Sequence, residues 1–324
     1  MDRPSSMGWS LAAPLFLRLV WVCAENRSTA PAILIKQPLI HSSARHLPMT
    51  SRAAPRPGPR YFPREHGATA MLLAPIICAA ILLRTWRWAE LATLTAAFSA
   101  MAAKDPLIFL FRQRFIWRQR DLRSAAALRW FCGWSLLFLA SALVIVATWP
   151  ARALLAMGLG IAAYSAVAIF VNVTNRQRST LFQIASAAAL TSTSIATSLS
   201  GISAVAPWCW WLWVLLALQA SAGILVVHAR LDARIALRSP STSVARSRLA
   251  AYLAVVALAA AALAALFLRL SILAVALLLA AVGYFYDLRR QRDPAYLQMP
   301  LTRVGLRALA LSAVYAALLI LALW

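Results

Sequence analysis

Charge is scarce in this 324-residue sequence: only 13% of its residues are charged, whereas 62% are hydrophobic and the mean hydropathy is +0.74. A soluble chain is nearer roughly 45–50% apolar and about 25% charged. A soluble domain is therefore excluded, and a polytopic membrane protein is the reading that remains. Lysine is nearly absent, with Lys36 and Lys104 alone, so the net charge of +23 rests on arginine. Those arginines lie in short loops between apolar runs, with no soluble domain to carry a basic face, which argues against nucleic acid as a partner. Cysteine is sparse too: Cys23, Cys78, Cys132 and Cys209 stand singly in or beside apolar stretches, without a CxxC pair. Neither a disulfide framework nor a zinc site follows, no metal is assigned, and small apolar packing is the expected role.

What is present begins with a basic segment. Residues 1–60 hold one apolar run, Trp9 to Ala24, broken by Arg18, and then a stretch rich in Pro, Ser and Arg that ends Arg56-Pro57-Gly58-Pro59-Arg60. We expect a disordered N-terminal extension there. From Met49 the text reads as an ordinary short cytoplasmic tail, which makes Met49 a natural start. The transmembrane helical domain is expected over residues 61–324.

Within it, a window of about 19 residues finds apolar segments near 67–83, 86–103, 127–148, 151–171, 181–205, 207–227, 249–268, 270–286 and 304–324. The expected fold is thus all-α, a polytopic bundle of about nine spans, with the first, Pro75-containing segment the one open to being re-entrant. Tight turns are expected at Thr148-Trp149-Pro150 and Leu268-Arg269, and a helix stop at Lys104-Asp105-Pro106, because proline and charge do not continue a lipid-facing helix cheaply. Arg112, Arg114, Arg118, Arg120 and Arg123, Arg176 and Arg178, Arg230 to Arg248, and Arg289 to Arg307 fall in one set of loops; Arg84, Arg87, Arg152 and Arg269 fall in the other. The positive-inside rule makes the first set cytoplasmic, with the N-terminus inside and Trp324 outside. Tryptophan agrees, since Trp86, Trp88, Trp149, Trp208, Trp210, Trp211 and Trp213 fall at outer ends, where an amphipathic ring favours the headgroup layer. Small residues in Met157 to Ala163 and Ala257 to Ala265 are expected to let helices approach closely.

This topology brings the polar groups to one level. Arg64, Glu65 and His66 precede the first span; Lys104 and Asp105 close the second; Asn172 closes the fourth; Gln183 opens the fifth; His228, Arg230 and Asp232 close the sixth. Ionisable groups at membrane depth are costly and default to functional candidates, although helix ends are also where snorkelling and capping place charge. His228 and Asp232 are four apart and share a helix face, so the carboxylate could orient the imidazole. Arg64, His66, Lys104 and Arg230 could form a cationic cradle for phosphate or carboxylate. The candidates for chemistry are His66, Asp105, His228 and Asp232; those for ligand contact are Arg64, Glu65, His66, Lys104, Asn172 and Arg230. No cofactor is assigned. The hydroxyls of Thr191 to Ser194, Thr197 and Ser198 are expected to bond the carbonyls of their own helix.

Pro63-Arg64-Glu65-His66-Gly67-Ala68, followed by Ala70 to Pro75, resembles the opening motif of the YwiC-like family of bacterial membrane proteins. That resemblance implies a multi-pass protein of the bacterial inner membrane and assigns no activity. More remotely, the layout is similar to that of UbiA-type intramembrane prenyltransferases, which implies nine helices with a site between their cytoplasmic ends. The two Asp-rich motifs that hold magnesium diphosphate in those enzymes are here reduced to Asp105 and to His228 with Asp232. The expected partners are the lipid bilayer and an anionic or isoprenoid-like ligand in a cytoplasm-facing pocket, with UbiA-like prenyl or lipid transfer as the corresponding activity. A small-molecule or ion transporter, or a structural membrane protein, is the alternative.

Overall fold

The computed structural model describes residues 66–117, 124–173, 179–239 and 244–324. The expected N-terminal extension, including Met49, lies outside the described residues. Among the described residues every regular element is helical: α1 His66–Leu83, α2 Trp88–Arg112, α3 Ser124–Thr148, α4 Ala151–Val173, α5 Thr180–Thr191, α6 Thr193–Ile202, α7 Pro207–Ala236, α8 Ala245–Phe267, α9 Ser271–Arg290, the short α10 Pro294–Gln298, and α11 Leu301–Leu323. Seven of these, α2, α3, α4, α7, α8, α9 and α11, are long and apolar enough to cross a membrane. Helix α1 is shorter and carries Pro75 inside it.

The turns expected around Pro150 and Arg269 are present, since α3 stops at Thr148 and α8 at Phe267. Two other expectations are corrected. Pro106 does not stop α2: the helix runs on to Arg112 and then into a π-helical turn, Gln113–Trp117, with Pro106 fully buried inside it. Proline's fixed φ is helical, so it removes one main-chain bond to the preceding turn, a loss a buried helix flanked by neighbours can absorb. The run 181–205 is not one helix but two, α5 and α6, separated at Ser192. Here four consecutive hydroxyl residues back-bond: Thr191 Oγ1 donates to Ala187 O (2.9 Å), Ser192 Oγ to Ala189 O (2.7 Å), Thr193 Oγ1 to Leu190 O (2.8 Å) and Ser194 Oγ to Thr191 O (3.2 Å). Each competes with the main-chain ladder and bends the helix. Ser198 departs from this pattern, donating to Ala204 O (2.8 Å) and accepting from Ala206 N (3.0 Å).

The main core lies among α7, α8, α9 and α11, with Cys78 and Ala79 of α1 packed into it. Ala262, Ala265, Ala276 and Ala280 are buried there, so small side chains do allow close approach on α8 and α9. Gly223 carries the same principle to its limit, because a Cβ there would come within 2.8 Å of the Tyr284 hydroxyl. Polar pins cross this apolar core: Gln219 Nε2 donates to Tyr284 Oη (2.7 Å) and Ser312 Oγ (2.9 Å), and Tyr315 Oη to Leu215 O (3.1 Å). A smaller core joins Trp149 to Ile195, Ala196 and Leu199 of α6. Helix α4 buries none of its apolar window, and a Cβ at Gly158 or Gly160 would meet nothing, so those glycines do not pack within the chain.

Side-chain contacts sort the helix ends into two groups. At one end Arg84 lies 3.9 Å above the Trp324 ring, and Ser203 Oγ donates to Thr148 O (3.4 Å). At the other, Gln113 of the α2 end is hydrogen-bonded to Ser124 at the start of α3 (2.7 and 2.9 Å), and Arg112 Nη2 donates to Asn172 O. Trp86, Trp88, Trp210 and Trp211 are exposed, as interfacial anchors would be. Trp149 is instead buried, its indole N–H donating to Ser200 Oγ (2.8 Å).

Candidate functional site

Of the sequence-derived candidates, Arg64 and Glu65 lie outside the described residues, and His66 is described only as the first residue of α1. On α2, Lys104 is half-buried and Asp105 exposed, in the turn that Pro106 continues. Asn172 is buried near the end of α4, where its amide donates to Ala168 O (2.8 Å) while its main-chain carbonyl takes the Arg112 guanidinium. Arg112 therefore staples the ends of α2 and α4 at the same level.

The last two turns of α7 hold the rest. His228 Nε2–H donates to Gln183 Oε1 of α5 at 2.9 Å, a bond that fixes the imidazole against the first turn of the broken pair. The group the structure brings to this imidazole is thus Gln183 on a neighbouring helix, with Asp232 half-buried one turn further along α7. Two residues from His228, and roughly 200° around the helix, Arg230 faces the other way. It is 2% exposed, and its Nη2 donates to Tyr296 O (2.7 Å), Met299 O (3.4 Å) and Leu297 O (3.5 Å). Those carbonyls lie at the end of α10, where a cation complements both the helix-end oxygens and the dipole. The guanidinium also stacks on the Tyr296 ring at 4.8 Å.

Around Arg230 the structure assembles Asp287, a polar group at the end of the 270–286 run, with Tyr296 and Gln291, which sequence reasoning did not single out. Tyr296 Oη donates to Asp287 Oδ1 (2.6 Å), and Gln291 Nε2 donates to Val226 O (3.2 Å). Burial, and then the Asp287 carboxylate, push the Tyr296 phenol above its ordinary value. Arg230 Nε and Gln291 Oε1 are buried without a hydrogen-bond partner. Asp293 Oδ1 caps α10 by accepting from Ala295 N (2.9 Å), and Pro294 follows in its first turn. Nothing local in the sequence pairs Tyr296 with Arg230, which lies 66 residues earlier. At the opposite end, Glu90 of α2 is buried against α6; sequence reasoning missed it, although a lone acid in an apolar run is a signal that could have found it.

A helical bundle with seven membrane-length apolar helices and polar side chains joining its arginine-bearing ends defines a multi-pass integral membrane protein. Residues 62–198 match the family model described as YwiC-like protein, a segment that runs from the Pro63-Arg64-Glu65-His66-Gly67 motif to Ser198 in α6. The chain is similar to that family over α1 to α5 and most of α6, while α7 to α11 lie beyond the match. No curated protein matches the chain.

Proposed function

We propose that this chain is a bacterial inner-membrane protein that binds an anionic or lipidic ligand at its arginine-bearing, cytoplasmic end. Counting α1 and the α5–α6 pair as one crossing each brings the seven long helices to nine, with the N-terminus inside and Trp324 outside. The observation that carries the reading is the His228–Gln183 bond, which holds a titratable ring at the seam between α5 and α7 on the end where Arg112 and Arg230 also lie. Lys104, Asn172, His66 and the motif residues Arg64 and Glu65 are its companions in ligand contact. Arg230 contributes by holding the Tyr296 to Met299 segment in place.

A diphosphate or headgroup oxyanion suits such a site, because arginine and lysine bind it by charge-assisted hydrogen bonds. Among the described residues no group of three or more His, Cys, Asp or Glu side chains could hold a metal ion. We assign recognition to these cationic and amide donors directly. In a UbiA-like transfer reaction His66, Asp105, His228 and Asp232 would be the proton-handling groups.

The test is lipid analysis of the purified protein together with direct binding of isoprenoid diphosphates and anionic phospholipids in nanodiscs. Lys104→Ala and His228→Ala should each weaken binding by about tenfold or more, the loss of one charge-assisted contact. Wild-type affinity in both variants overturns the site. A second reading, transport, is favoured by the break at Ser192, since discontinuous helices line substrate paths in transporters. Exchange of a radiolabelled anion across proteoliposome membranes distinguishes it from binding alone.

A further inference from the structure

We infer that Glu90 is the anionic ligand of a binding site for a small monovalent cation, completed by the Thr85 hydroxyl and the main-chain carbonyls at the C-terminal end of α6. The site lies at the opposite end of the bundle from His228 and is independent of the function proposed above.

Glu90 stands in the first turn of α2 and is 5% exposed. Thr85 Oγ1 donates to its Oε1 at 2.5 Å, while its Oε2 is buried with no hydrogen-bond partner. Neither of the neighbouring arginines is folded inward: Arg84 and Arg87 are exposed, and the Arg84 guanidinium lies over the Trp324 ring. A buried carboxylate with one oxygen unsatisfied is unfavourable, and the Thr85 hydroxyl and the positive end of α2 offset its charge only in part.

This carboxylate lies beside the C-terminal turn of α6. A Cβ at Gly201 would lie 2.6 Å from Glu90 Oε1 and 2.8 Å from Thr85 Oγ1, so the carboxylate is pressed against the α6 backbone, and only glycine leaves room for it. Helix α6 stops there: Ser203 is left-handed at φ 56°, and its N–H closes onto Leu199 O at 3.0 Å. The carbonyls of Ser200, Gly201 and Ile202 lie past that last main-chain bond, in the half-negative end of the helix dipole. The Ser200 hydroxyl is occupied elsewhere, paired with Thr93 Oγ1 (2.5 Å) and Trp149 Nε1 (2.8 Å), which clamps α6 in register with α2.

A cation touching Oε2 and the α6 carbonyls satisfies both the carboxylate and the helix end, as half-helix C-termini do for coupling ions in transporters. One carboxylate among neutral oxygens carries a single negative charge. That matches a monovalent ion, whereas divalent ions take several carboxylates or keep their water.

The experiment uses the full-length protein in nonionic detergent. It reads retention of ²²Na⁺ in a scintillation proximity assay, and the melting temperature as NaCl replaces choline chloride at fixed ionic strength. We expect saturable ²²Na⁺ binding and a melting temperature that rises with sodium. Glu90→Gln should lose both, with affinity reduced more than about tenfold, and Thr85→Val should weaken both while keeping the fold. Displacement of ²²Na⁺ by potassium at lower concentration keeps the site and changes its ion. The inference is overturned by absence of retained ²²Na⁺ with equal melting in sodium, potassium and choline, by displacement with micromolar calcium, or by Glu90→Gln with an unchanged sodium response. Should Glu90→Gln fail to fold, Thr85→Val and Gly201→Ala carry the test, and unchanged sodium curves in both overturn it.

Discussion

His228 and Arg230 sit two positions apart on α7 and serve opposite faces, one reaching α5 and the other α10. Sequence reading placed both at the correct helix end, because charge and periodicity are local, but not their partners, because those depend on which helices lie on either side of α7. Arg230 acts as a clamp, so Arg230→Met leaves three carbonyls without their donor. Charged hydrogen bonds contribute roughly 1.5–3 kcal/mol, and we expect a loss of about 3 kcal/mol, read as a melting temperature several degrees lower in detergent, with Arg230→Lys recovering part of it. Tyr296 adds a pH dependence of defined sign. Its phenol is held protonated above the ordinary value of about 10 by burial and by Asp287. Its contribution is therefore complete below pH of about 10 and is lost as pH rises through the raised value. Melting curves between pH 8 and 11 should show a steeper alkaline decline for wild type than for Tyr296→Phe; parallel declines would remove Tyr296 from the account.

At the scale of elements, the two corrected helices share a cause. Hydropathy sees 181–205 as one run and Pro106 as a stop, yet a helix's continuity is decided by where its main-chain bonds go. In α5–α6 the hydroxyls of Thr191 to Ser194 turn back on the chain, and Thr193 Oγ1 also reaches Leu72 O of α1 at 3.2 Å, in the turn before Pro75. That contact ties one irregular helix to another across the bundle. Thr193→Val should remove it at a cost of about 1 kcal/mol, measured as a lower melting temperature, without altering helical content by circular dichroism. Pro106 is tolerated because α2 packs along α3 for most of its length, so the missing bond is held by its neighbours. Pro106→Ala should accordingly leave the fold intact, and aggregation of that variant would show that the proline shapes the helix instead.

For the whole molecule, the testable statement is which end faces which compartment. In a Cys132→Ser background, needed because Cys132 is exposed, a cysteine from Arg114→Cys should react with a membrane-impermeant maleimide only when the cytoplasmic face is open. One from Trp86→Cys should react from outside. The reverse pattern would invert the proposed orientation and move the His228 end to the periplasm. What the sequence determined alone was the class of object: a composition 62% hydrophobic and loops of arginine point to a helical membrane protein, because backbone groups in lipid must be satisfied within helices. The aromatic anchors and the polar level at the helix ends were legible for the same local reason. Only the tertiary structure decided that Glu90 is buried beside Gly201, that Arg230 is spent on the α10 carbonyls, and that the run 181–205 is two helices. Those outcomes depend on contacts between residues scores of positions apart, and periodicity carries no information about which helix a given face will meet.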